Sequence, residues 1–383
     1  MDEAFALYVH IPWCRHVCPY CDFNVYAQQR PPEADYTAAL VRELGTWAAR
    51  PSFAGRHVAS VYVGGGTPSL FSADVIGRII AAADRTFGIV AAAEVTLEAN
   101  PGTVTRDTLA AHRAAGVNRL SLGVQSFAPH LLAALGRDHT PDDTHAAMTA
   151  ARAAGFENVS MDLIFAIPGS TLADWAHDLE RTIALAPAHV SAYALTFEER
   201  TPYHAWRRTG RIRAVDEDDE AAMAELAGER LATAGYARYE ISSWARPGRA
   251  SAHNQRYWDG SPYLGLGAGA HSFAAEPSPA RRWSNIRLPA AYMDAVTVGG
   301  VAVAEEHPLD VEQARADFVF TGLRRIVGVD ATAFAARFGL PLADAFPHVP
   351  GLVRDGLLEW AGARLRLSPH GLRFADTVAA TFV

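Results

Sequence analysis

Lysine is absent from this sequence of 383 residues, and all 34 basic residues are arginine. Without lysine the chain has no P-loop phosphate site, no Schiff-base nucleophile and no lysine general base. Arginine supplies a permanent charge and planar, bidentate recognition of carboxylates instead. A biased genomic base composition, which also accounts for the abundance of alanine, is the best explanation of the absence. The chemical exclusion holds in either case.

Cysteine is scarce and clustered. The three cysteines, Cys14, Cys18 and Cys21, lie within eight residues, and none occurs elsewhere. An odd, clustered set is unlike the spread framework of paired cysteines that stabilises small secreted domains. The pattern therefore indicates metal binding in a reducing, cytosolic compartment.

Long apolar runs and an excess of basic charge are also missing. No apolar run approaches the roughly 18 residues that a membrane-spanning helix needs, and no basic segment or cleavable signal precedes the first strand-like run. The net charge is −8, whereas surfaces that bind nucleic acid carry a basic excess. We therefore expect a cytoplasmic protein with no membrane span and no nucleic-acid partner.

The first 195 residues alternate short β-like runs with segments of helical periodicity. The predicted strands are residues 6–11, 58–63, 94–98, 119–123, 159–165 and 189–195, and the predicted helices are residues 35–49, 73–87, 107–115, 142–154 and 172–186. Strands that each precede a helix indicate repeated βα units and a parallel sheet. Because six strands are fewer than the eight of a closed barrel, the choices are a partial barrel and an open, doubly wound sheet.

The pattern changes after residue 196. An acidic first turn predicts a helix over residues 216–234, and the aromatic- and glycine-rich segment 236–273 is predicted to be a functional loop region. A loop or linker at 276–282 precedes predicted helices over 311–326, 331–338 and 342–346 and short strands near 357–360 and 364–367. We therefore predict three parts: residues 1–200, a middle region of 201–285 that packs on them, and a small winged-helix-like C-terminal unit of 286–383.

The spacing Cys14-x-x-x-Cys18-x-x-Cys21 follows directly after the first predicted strand. Three thiolates in one short loop can face a cubane iron–sulfur cluster, and the missing fourth cysteine would leave one iron of a [4Fe–4S] cluster open to a small molecule. Zinc is the main alternative, although a structural zinc site needs four ligands, and His16 is poorly placed to complete a tetrahedron. Unliganded buried cysteines remain a third interpretation.

The residues around this loop resemble the signature of the radical S-adenosylmethionine (SAM) superfamily. The resemblance is greatest to its oxygen-independent coproporphyrinogen III oxidase-like branch and, within that branch, to the HemW-type haem-chaperone subfamily. It covers most of the chain, in the segments Tyr8-Val-His-Ile-Pro-Trp-Cys14, Gly64-Gly-Gly-Thr-Pro-Ser, Glu98-Ala-Asn-Pro-Gly, Ser121-Leu-Gly-Val-Gln-Ser-Phe, Asp162-Leu-Ile, Ile167-Pro-Gly, His253-Asn-Gln-Arg-Tyr-Trp258 and Gly265-Leu-Gly-Ala-Gly-Ala-His-Ser272.

The resemblance implies a partial (β/α)6 barrel with a small C-terminal α/β appendage, and a set of nucleotide-site residues. Independently, the glycine segment after the second predicted strand, Glu98, Gln125 and Ala194 lie at or just after the carboxyl ends of predicted strands, where parallel α/β folds gather their ligand-binding loops. The implied contacts of the SAM amino group are Gly65, Gly66 and Thr67. The other implied nucleotide-site residues are Tyr8, Tyr20, Glu98, Gln125, Arg137 and Asp162, with Ala194 a weaker candidate; a second SAM molecule, as in related decarboxylases, is left open.

The chemistry that the resemblance implies is reductive cleavage of SAM at an iron–sulfur cluster, giving methionine and a 5′-deoxyadenosyl radical. SAM would chelate the open iron, and an electron donor would reduce the cluster.

A phosphate-binding loop is the alternative for the three consecutive glycines, but no Lys-Ser/Thr pair follows them. Arg137 can pair with the methionine carboxylate of SAM, because guanidinium and carboxylate form bidentate hydrogen bonds.

Two departures favour the haem-chaperone subfamily over coproporphyrinogen oxidase itself. That enzyme carries a further cysteine where this chain has Phe23, and it has an extension ahead of the cysteine loop. The resemblance implies that His253 contacts haem, since imidazole is a good axial ligand and aromatic side chains stack on porphyrins; His271 is a secondary candidate. Arg246, Arg249 and Arg256 are candidate propionate partners, although solvated surface arginines are the simpler interpretation. We expect a monomer or dimer that gives haem to an acceptor protein. The alternative functions are coproporphyrinogen III decarboxylation and radical SAM chemistry on a substrate other than a porphyrin.

Overall fold

The protein is built on one 12-stranded sheet with a small C-terminal unit beside it, in a computed structural model that describes residues 4–383. The strands are β1 Ala4–Ile11, β2 Trp13–Cys14, β3 Tyr26–Ala27, β4 His57–Gly65, β5 Ile89–Ala99, β6 Arg119–Gln125, β7 Asn158–Phe165, β8 His189–Ala194, β9 Ala237–Glu240, β10 Ser243–Ala245, β11 Tyr263–Leu266, β12 His271–Ala274, β13 Arg281–Asn285, β14 Val303–Pro308, β15 Val329–Asp330, β16 Leu358–Ala361 and β17 Arg364–Leu367.

Helices cover the sheet and build the C-terminal unit. They are α1 Glu33–Ala48, α2 Ala73–Phe87, α3 Arg106–Ala114, α4 Pro129–Ala134, α5 Pro141–Ala153, α6 Leu172–Ala184, α7 Pro202–Arg208, α8 Glu217–Thr233, α9 Ala252–Trp258, α10 Pro289–Gly299, α11 Val311–Gly322, α12 Ala331–Phe338, α13 Leu342–Ala345, α14 Val349–Arg354 and α15 Ala375–Ala380. Several begin where the side chain of an N-cap residue accepts a backbone N–H, as Thr140 does from Asp143 at α5 and Thr171 from Asp174 at α6. No helix among residues 4–383 is both long and apolar enough to cross a bilayer.

The centre of the large sheet is parallel and does not close into a barrel. Its order is β14-β13-β12-β11-β1-β4-β5-β6-β7-β8-β10-β9, and the seven strands from β11 to β8 pair in parallel. The six predicted strands are therefore confirmed as β1 and β4 to β8. Nearly every residue of β1 and β6 is buried, as expected where helices cover both faces of a parallel sheet.

The segment 236–273 is ordered secondary structure, so the prediction of a loop region there was wrong. It forms β9 and β10 at one edge of the sheet, helix α9, and β11 and β12, which continue the sheet on the other side beyond β1. β11 pairs in parallel with β1, which adds a seventh parallel strand to the predicted six. Residues 201–285 thus extend both edges of the sheet; the division of the chain into three parts remains a proposal.

The C-terminal unit has a hydrophobic core of its own beneath the three-stranded sheet β15-β17-β16. It is joined to the large sheet by backbone hydrogen bonds, in which Ile241 N donates to Arg324 O at 3.0 Å and Ile326 N to Tyr239 O at 3.1 Å. Helix α11 also carries Asp317, whose carboxylate accepts from Arg282 of β13 at 2.6 Å. The predicted winged-helix-like appendage therefore packs directly on the sheet.

Candidate functional site

A cavity of about 530 Å³ lies at the carboxyl ends of the parallel strands, beneath the cysteine loop. We call it the first cavity, and it is lined by the three cysteines and by every expected nucleotide-site residue except Tyr8, whereas the candidate haem residues lie outside it. The expected residues that line it are Cys14, Cys18, Tyr20, Cys21, Gly65, Gly66, Thr67, Glu98, Gln125, Arg137, Asp162 and Ala194. Their convergence follows from the parallel sheet, because the ends of successive strands meet at one edge.

The cysteine loop, residues 14–27, is closed at its base and docked on both sides. The short strands β2 and β3 pair at its ends, and Cys21 N donates to Cys18 O at 3.1 Å within it. His16 Nε2 donates to Gly136 O at 2.6 Å, and Tyr203 N donates to Pro19 O at 3.1 Å. These contacts tie the loop to the segments after β6 and β8.

The three thiols face the first cavity together. Burial raises the pKa of Cys14, and it raises that of Cys21 to about 12. Within residues 4–383, no three His, Cys, Asp or Glu side chains lie close enough together to bind one metal ion. The three thiols therefore border a common space but are not positioned around a single ion. Three soft donors around a shared space fit a cluster whose separate iron atoms each take one thiolate.

The glycine segment after β4 passes close to the backbone of the cysteine loop. Gly65 has φ +115°, a backbone conformation that favours glycine. At Gly66 a Cβ atom would lie 2.5 Å from Trp13 O, so this position has no room for a side chain. Gly66 N donates to Ile11 O at 2.8 Å, and Thr67 N donates to Trp13 O at 2.8 Å. The segment is therefore packed directly against the cysteine loop, and Gly65, Gly66 and Thr67 line the first cavity beside it.

Glu98 is a half-buried carboxyl group between hydrogen-bond donors. Gly65 N donates to its Oε2 at 2.9 Å, and the Tyr62 hydroxyl donates to its Oε1 at 2.8 Å. Burial nevertheless raises the pKa of Glu98 to about 7. Near neutral pH the carboxyl is therefore poised between its two charge states, and a cation in the cavity would favour the charged one.

Arg137 is held in place by neutral oxygens. Its Nη2 donates to Asn100 Oδ1 at 2.7 Å and to Gly123 O at 2.8 Å, its Nη1 lies 3.8 Å from Cys18 Sγ, and its buried Nε has no partner among the described residues. No carboxylate forms an ion pair with this guanidinium within residues 4–383, so its charge is available to a ligand. Asn100, which also donates to Thr67 Oγ1 at 3.1 Å, was missed as a site residue, although the Glu98-Ala-Asn segment contained the signal.

Asp162 and Gln125 complete the floor of the first cavity. Ser121 and Ser160 donate to the Asp162 carboxylate at 2.8 and 3.1 Å, while burial raises the pKa of this carboxyl. Gln125 ends β6 at φ 65°, after a register shift between Gly123 and Gln125. Such a shift re-aims a side chain at the end of a strand.

Tyr8 lies in a second cavity of about 500 Å³ on the other side of the cysteine loop. This second cavity is lined by Tyr8, His10, Phe23, Tyr257, Trp258, Tyr263, His271, Arg282 and Arg287, and it shares Asp22, Phe23, Gly65 and Glu98 with the first. Tyr8 Oη is 3.0 Å from His10 Nδ1, and His10 Nε2 donates to Asn24 O at 2.9 Å. Burial lowers the pKa of His10 to about 4, so the ring is neutral and its Nδ1 accepts from Tyr8.

His253 borders neither cavity. Its side chain is 1% exposed, and both ring nitrogens are engaged, Nδ1 with Ser60 Oγ at 2.9 Å and Nε2 with Tyr257 Oη at 2.8 Å. The burial lowers its pKa to about 3. The expected haem contact through His253 is therefore not supported by its placement, because a ring with both nitrogens hydrogen-bonded has no lone pair free for iron.

The three arginines considered as propionate partners also lie outside both cavities. Arg246 Nη1 donates to Ala234 O at 3.1 Å, Arg249 pairs with Glu157 at 3.2 Å, and Arg256 Nη1 donates to Ala4 O at 3.3 Å. All three are half-buried and have a partner within the chain, so the simpler interpretation of them as solvated surface arginines does not describe them either.

Comparison with known families matches two parts of the chain. Residues 8–182 match the radical SAM superfamily, and residues 309–374 match the HemN C-terminal domain. The first match contains the cysteine loop and the strand ends of the first cavity, except Ala194. The second covers most of the C-terminal unit.

Relatives match the chain over its whole length. It is 33% identical to the heme chaperone HemW of Bacillus subtilis, with 99% of each chain covered. It is 37% identical to the heme chaperone HemW of Mycobacterium tuberculosis, with 100% of this chain and 95% of that one covered. Among solved structures, coproporphyrinogen III oxidase (HemN) of Escherichia coli, described as a radical SAM enzyme, matches with a TM-score of 0.85 and 25% identity over 100% of this chain and 90% of that chain. The chain therefore belongs to the radical SAM superfamily, to its oxygen-independent coproporphyrinogen III oxidase-like family and, within that family, to the HemW-type subfamily.

Proposed function

We propose that this protein is a cytoplasmic haem chaperone of the radical SAM class, which binds a [4Fe–4S] cluster, SAM and haem and transfers haem to an acceptor protein. The observation that carries the proposal is the first cavity, in which three thiols, a guanidinium with no anionic partner among the described residues and the half-buried carboxyls of Glu98 and Asp162 face one space. The full-length similarity to proteins named heme chaperones supports the haem part of the proposal.

Cys14, Cys18 and Cys21 would hold the cluster as thiolates. Three protein ligands leave one iron for an exchangeable ligand. Gly65, Gly66 and Thr67 line the same cavity as the thiols, so such a ligand would lie against them. When bound, the cluster supplies the electron for reductive cleavage of the sulfonium S–C5′ bond of SAM. The chain's own part is to hold the thiolates and the nucleotide in register and to exclude water.

The remaining residues of the first cavity suit the parts of SAM by charge. Arg137 would pair with the methionine carboxylate, because its guanidinium is fixed by Asn100 and Gly123 and has no anionic partner. Glu98 would accept a hydrogen bond from the amino group of SAM, whose N–H bonds remain donors when its nitrogen binds iron. The ribose hydroxyls would donate to Asp162 and Gln125, with Tyr20 and Ala194 as neighbouring walls.

Two assays on the anaerobically reconstituted protein test this function. Incubation with SAM, a reductant and coproporphyrinogen III is expected to yield no protoporphyrinogen IX, and haem titration is expected to produce a saturable Soret band. The haem-loaded protein should then pass haem to apomyoglobin. Protoporphyrinogen IX formation, or the absence of haem binding, would contradict the chaperone function.

Coproporphyrinogen III decarboxylation is the second candidate, because the E. coli oxidase structure matches the whole chain at a TM-score of 0.85. Phe23 favours the chaperone, since the resemblance places a further cysteine at that position in the oxidase. Phe23 is 66% exposed in the wall between the two cavities. The product assay separates the two candidates directly.

A further inference from the structure

We propose that the second cavity is the haem site of this protein and that His271, rather than His253, supplies the axial ligand to the haem iron. The inference rests on the proposed haem binding and says where that binding occurs. It is carried by three features of the cavity: an imidazole without a partner, a guanidinium without a partner, and a set of aromatic walls.

His271 offers a free imidazole at the start of β12. Its ring makes no hydrogen bond or ion pair with any residue between 4 and 383, and it opens onto the second cavity. Partial burial lowers its pKa, with further lowering by Arg287 and Arg282, so the ring is neutral at physiological pH. A neutral imidazole with an unused nitrogen is the form that binds iron.

Arg287 offers the positive charge that a haem propionate needs. Its backbone is fixed, because Asn24 Nδ2 and the Tyr26 hydroxyl donate to Arg287 O at 2.8 and 3.2 Å. Its exposed guanidinium donates to no other residue within 4–383. Arg282, by contrast, is already neutralised by Asp317 at 2.6 Å and also donates to Tyr263 Oη at 3.0 Å. The cavity therefore has one uncompensated guanidinium, placed to bind a carboxylate.

Aromatic side chains form the walls. Tyr257 and Tyr263 pack edge-to-face with their ring centroids 4.7 Å apart, and Trp258 lies beside them on α9. Phe23, which belongs to the cysteine loop, forms a further wall. This large apolar side chain is 66% exposed, and a ligand in the second cavity would cover part of it. Aromatic walls with a few convergent polar groups are typical of sites for large planar ligands.

The position of the second cavity agrees with a cargo site next to a cofactor site. Asp22, Phe23, Gly65 and Glu98 border both cavities. Asn24 connects the cysteine loop to the far side of the second cavity, since its Nδ2 also donates to Ala268 O at 2.9 Å. Haem in the second cavity would therefore touch the same loop that carries the three thiols.

The first experiment is a haemin titration of cluster-loaded protein, followed by the Soret difference spectrum. We expect His271→Ala to weaken haemin binding at least tenfold and to change the Soret position, and His271→Cys to shift the band to that of a thiolate complex. The matched control is His307→Ala, which removes an exposed histidine from β14, two strands away from β12, and should leave the spectrum unchanged. Circular dichroism and thermal midpoints confirm that each variant is folded.

The outcomes separate this inference from the proposed function. Wild-type protein that binds haemin, together with a His271→Cys spectrum identical to wild type, would overturn the site and leave the chaperone function standing. A conservative His253→Gln variant that alone loses the Soret band would overturn it as well. Wild-type protein that binds no haemin would overturn both.

The second experiment tests the propionate contact. Arg287→Gln should weaken haemin binding by about tenfold, whereas Arg78→Gln on the outer face of α2 should have no effect. With haemin dimethyl ester, which has no carboxylates, wild type and Arg287→Gln should bind equally. A loss of affinity for the ester equal to that for haemin would contradict the carboxylate contact.

Discussion

The two cavities lie on either side of the cysteine loop and are built differently. The first is made by the ends of β4 to β8, and its charged groups are buried among hydrogen-bond donors and acceptors that hold them in place. The second is made by the antiparallel edge of the sheet and by α11 of the C-terminal unit, and its free guanidinium and imidazole are exposed. The first therefore suits a cofactor that stays bound, and the second a cargo that enters and leaves.

The difference also shows how a parallel sheet can support two ligands. The strand ends orient most of the first set of side chains, with Arg137 held in addition by Asn100 and Gly123. The second set depends on contacts between distant segments, such as Arg282 with Asp317 and Asn24 with Arg287 O. Substitutions in the two cavities should therefore have separate effects, and the following predictions test that separation.

The largest expected effect is in the cysteine loop. Replacing any one of Cys14, Cys18 or Cys21 by serine should abolish stable [4Fe–4S] incorporation, because the remaining two thiolates cannot hold a cluster whose fourth iron has no protein ligand. Iron and sulfide analysis with the visible spectrum measures this. His16→Ala should retain the cluster, since its Nε2 bonds to Gly136 O. A variant lacking one cysteine that keeps four irons per chain would refute the ligand assignment.

The next effect is on SAM binding. Arg137→Lys should weaken SAM binding by roughly 10- to 100-fold, because lysine loses the planar fork that meets a carboxylate. Anaerobic calorimetry of the cluster-loaded protein measures the affinity. The haem Soret band should be the same as in wild type, and His271→Ala should conversely leave SAM affinity unchanged. A loss of both ligands in either variant would contradict the separation of the cavities.

A smaller effect is expected on the stability of the protein when the contact between the cysteine loop and the second cavity is removed. Asn24→Ala removes the hydrogen bonds from Nδ2 to Ala268 O and Arg287 O and should lower the free energy of unfolding by about 1–2 kcal/mol. Chemical denaturation measures it, with Gln28→Ala as the control, since the Gln28 side chain donates only to exposed Arg30 O. Equal stability of the two variants would mean that Asn24 does not anchor the loop.

The smallest effect is a pH dependence of the first cavity. The pKa of Glu98 is raised to about 7, so its carboxyl is mostly neutral at pH 6 and mostly charged at pH 8. Because SAM carries cationic groups, its affinity should rise with pH across this interval, by up to about tenfold if only the charged carboxyl binds. Glu98→Gln should flatten the profile. An affinity that falls from pH 6 to pH 8 in wild type would contradict the role of Glu98.

The first cavity could be predicted from the sequence because local patterns determine it. The six strands are short apolar runs, and several end at or next to a residue that lines the cavity, as β5 does at Glu98 and β6 at Gln125. The cysteine spacing is likewise local. Asn100 is the exception, since its role appears only when Arg137, 37 residues away, folds against it.

The second cavity could not be predicted because it depends on distant contacts. β11 is a four-residue run interrupted by Gly265, too short for a strand period to stand out, and it becomes a strand only by pairing with β1. The motif around His253 predicts an available ligand, but in the structure Ser60, which lies 193 residues earlier in the chain, forms a hydrogen bond with its Nδ1. His271 is part of a glycine-rich turn, and only the fold places it opposite Arg287.

The most direct test of the account is ⁵⁷Fe Mössbauer spectroscopy of the anaerobically reconstituted protein with and without SAM. The account predicts four irons per chain, of which one changes its isomer shift when SAM is added, because three irons carry Cys14, Cys18 and Cys21 and the fourth is open. A cluster whose four irons are all unaffected by SAM would contradict it.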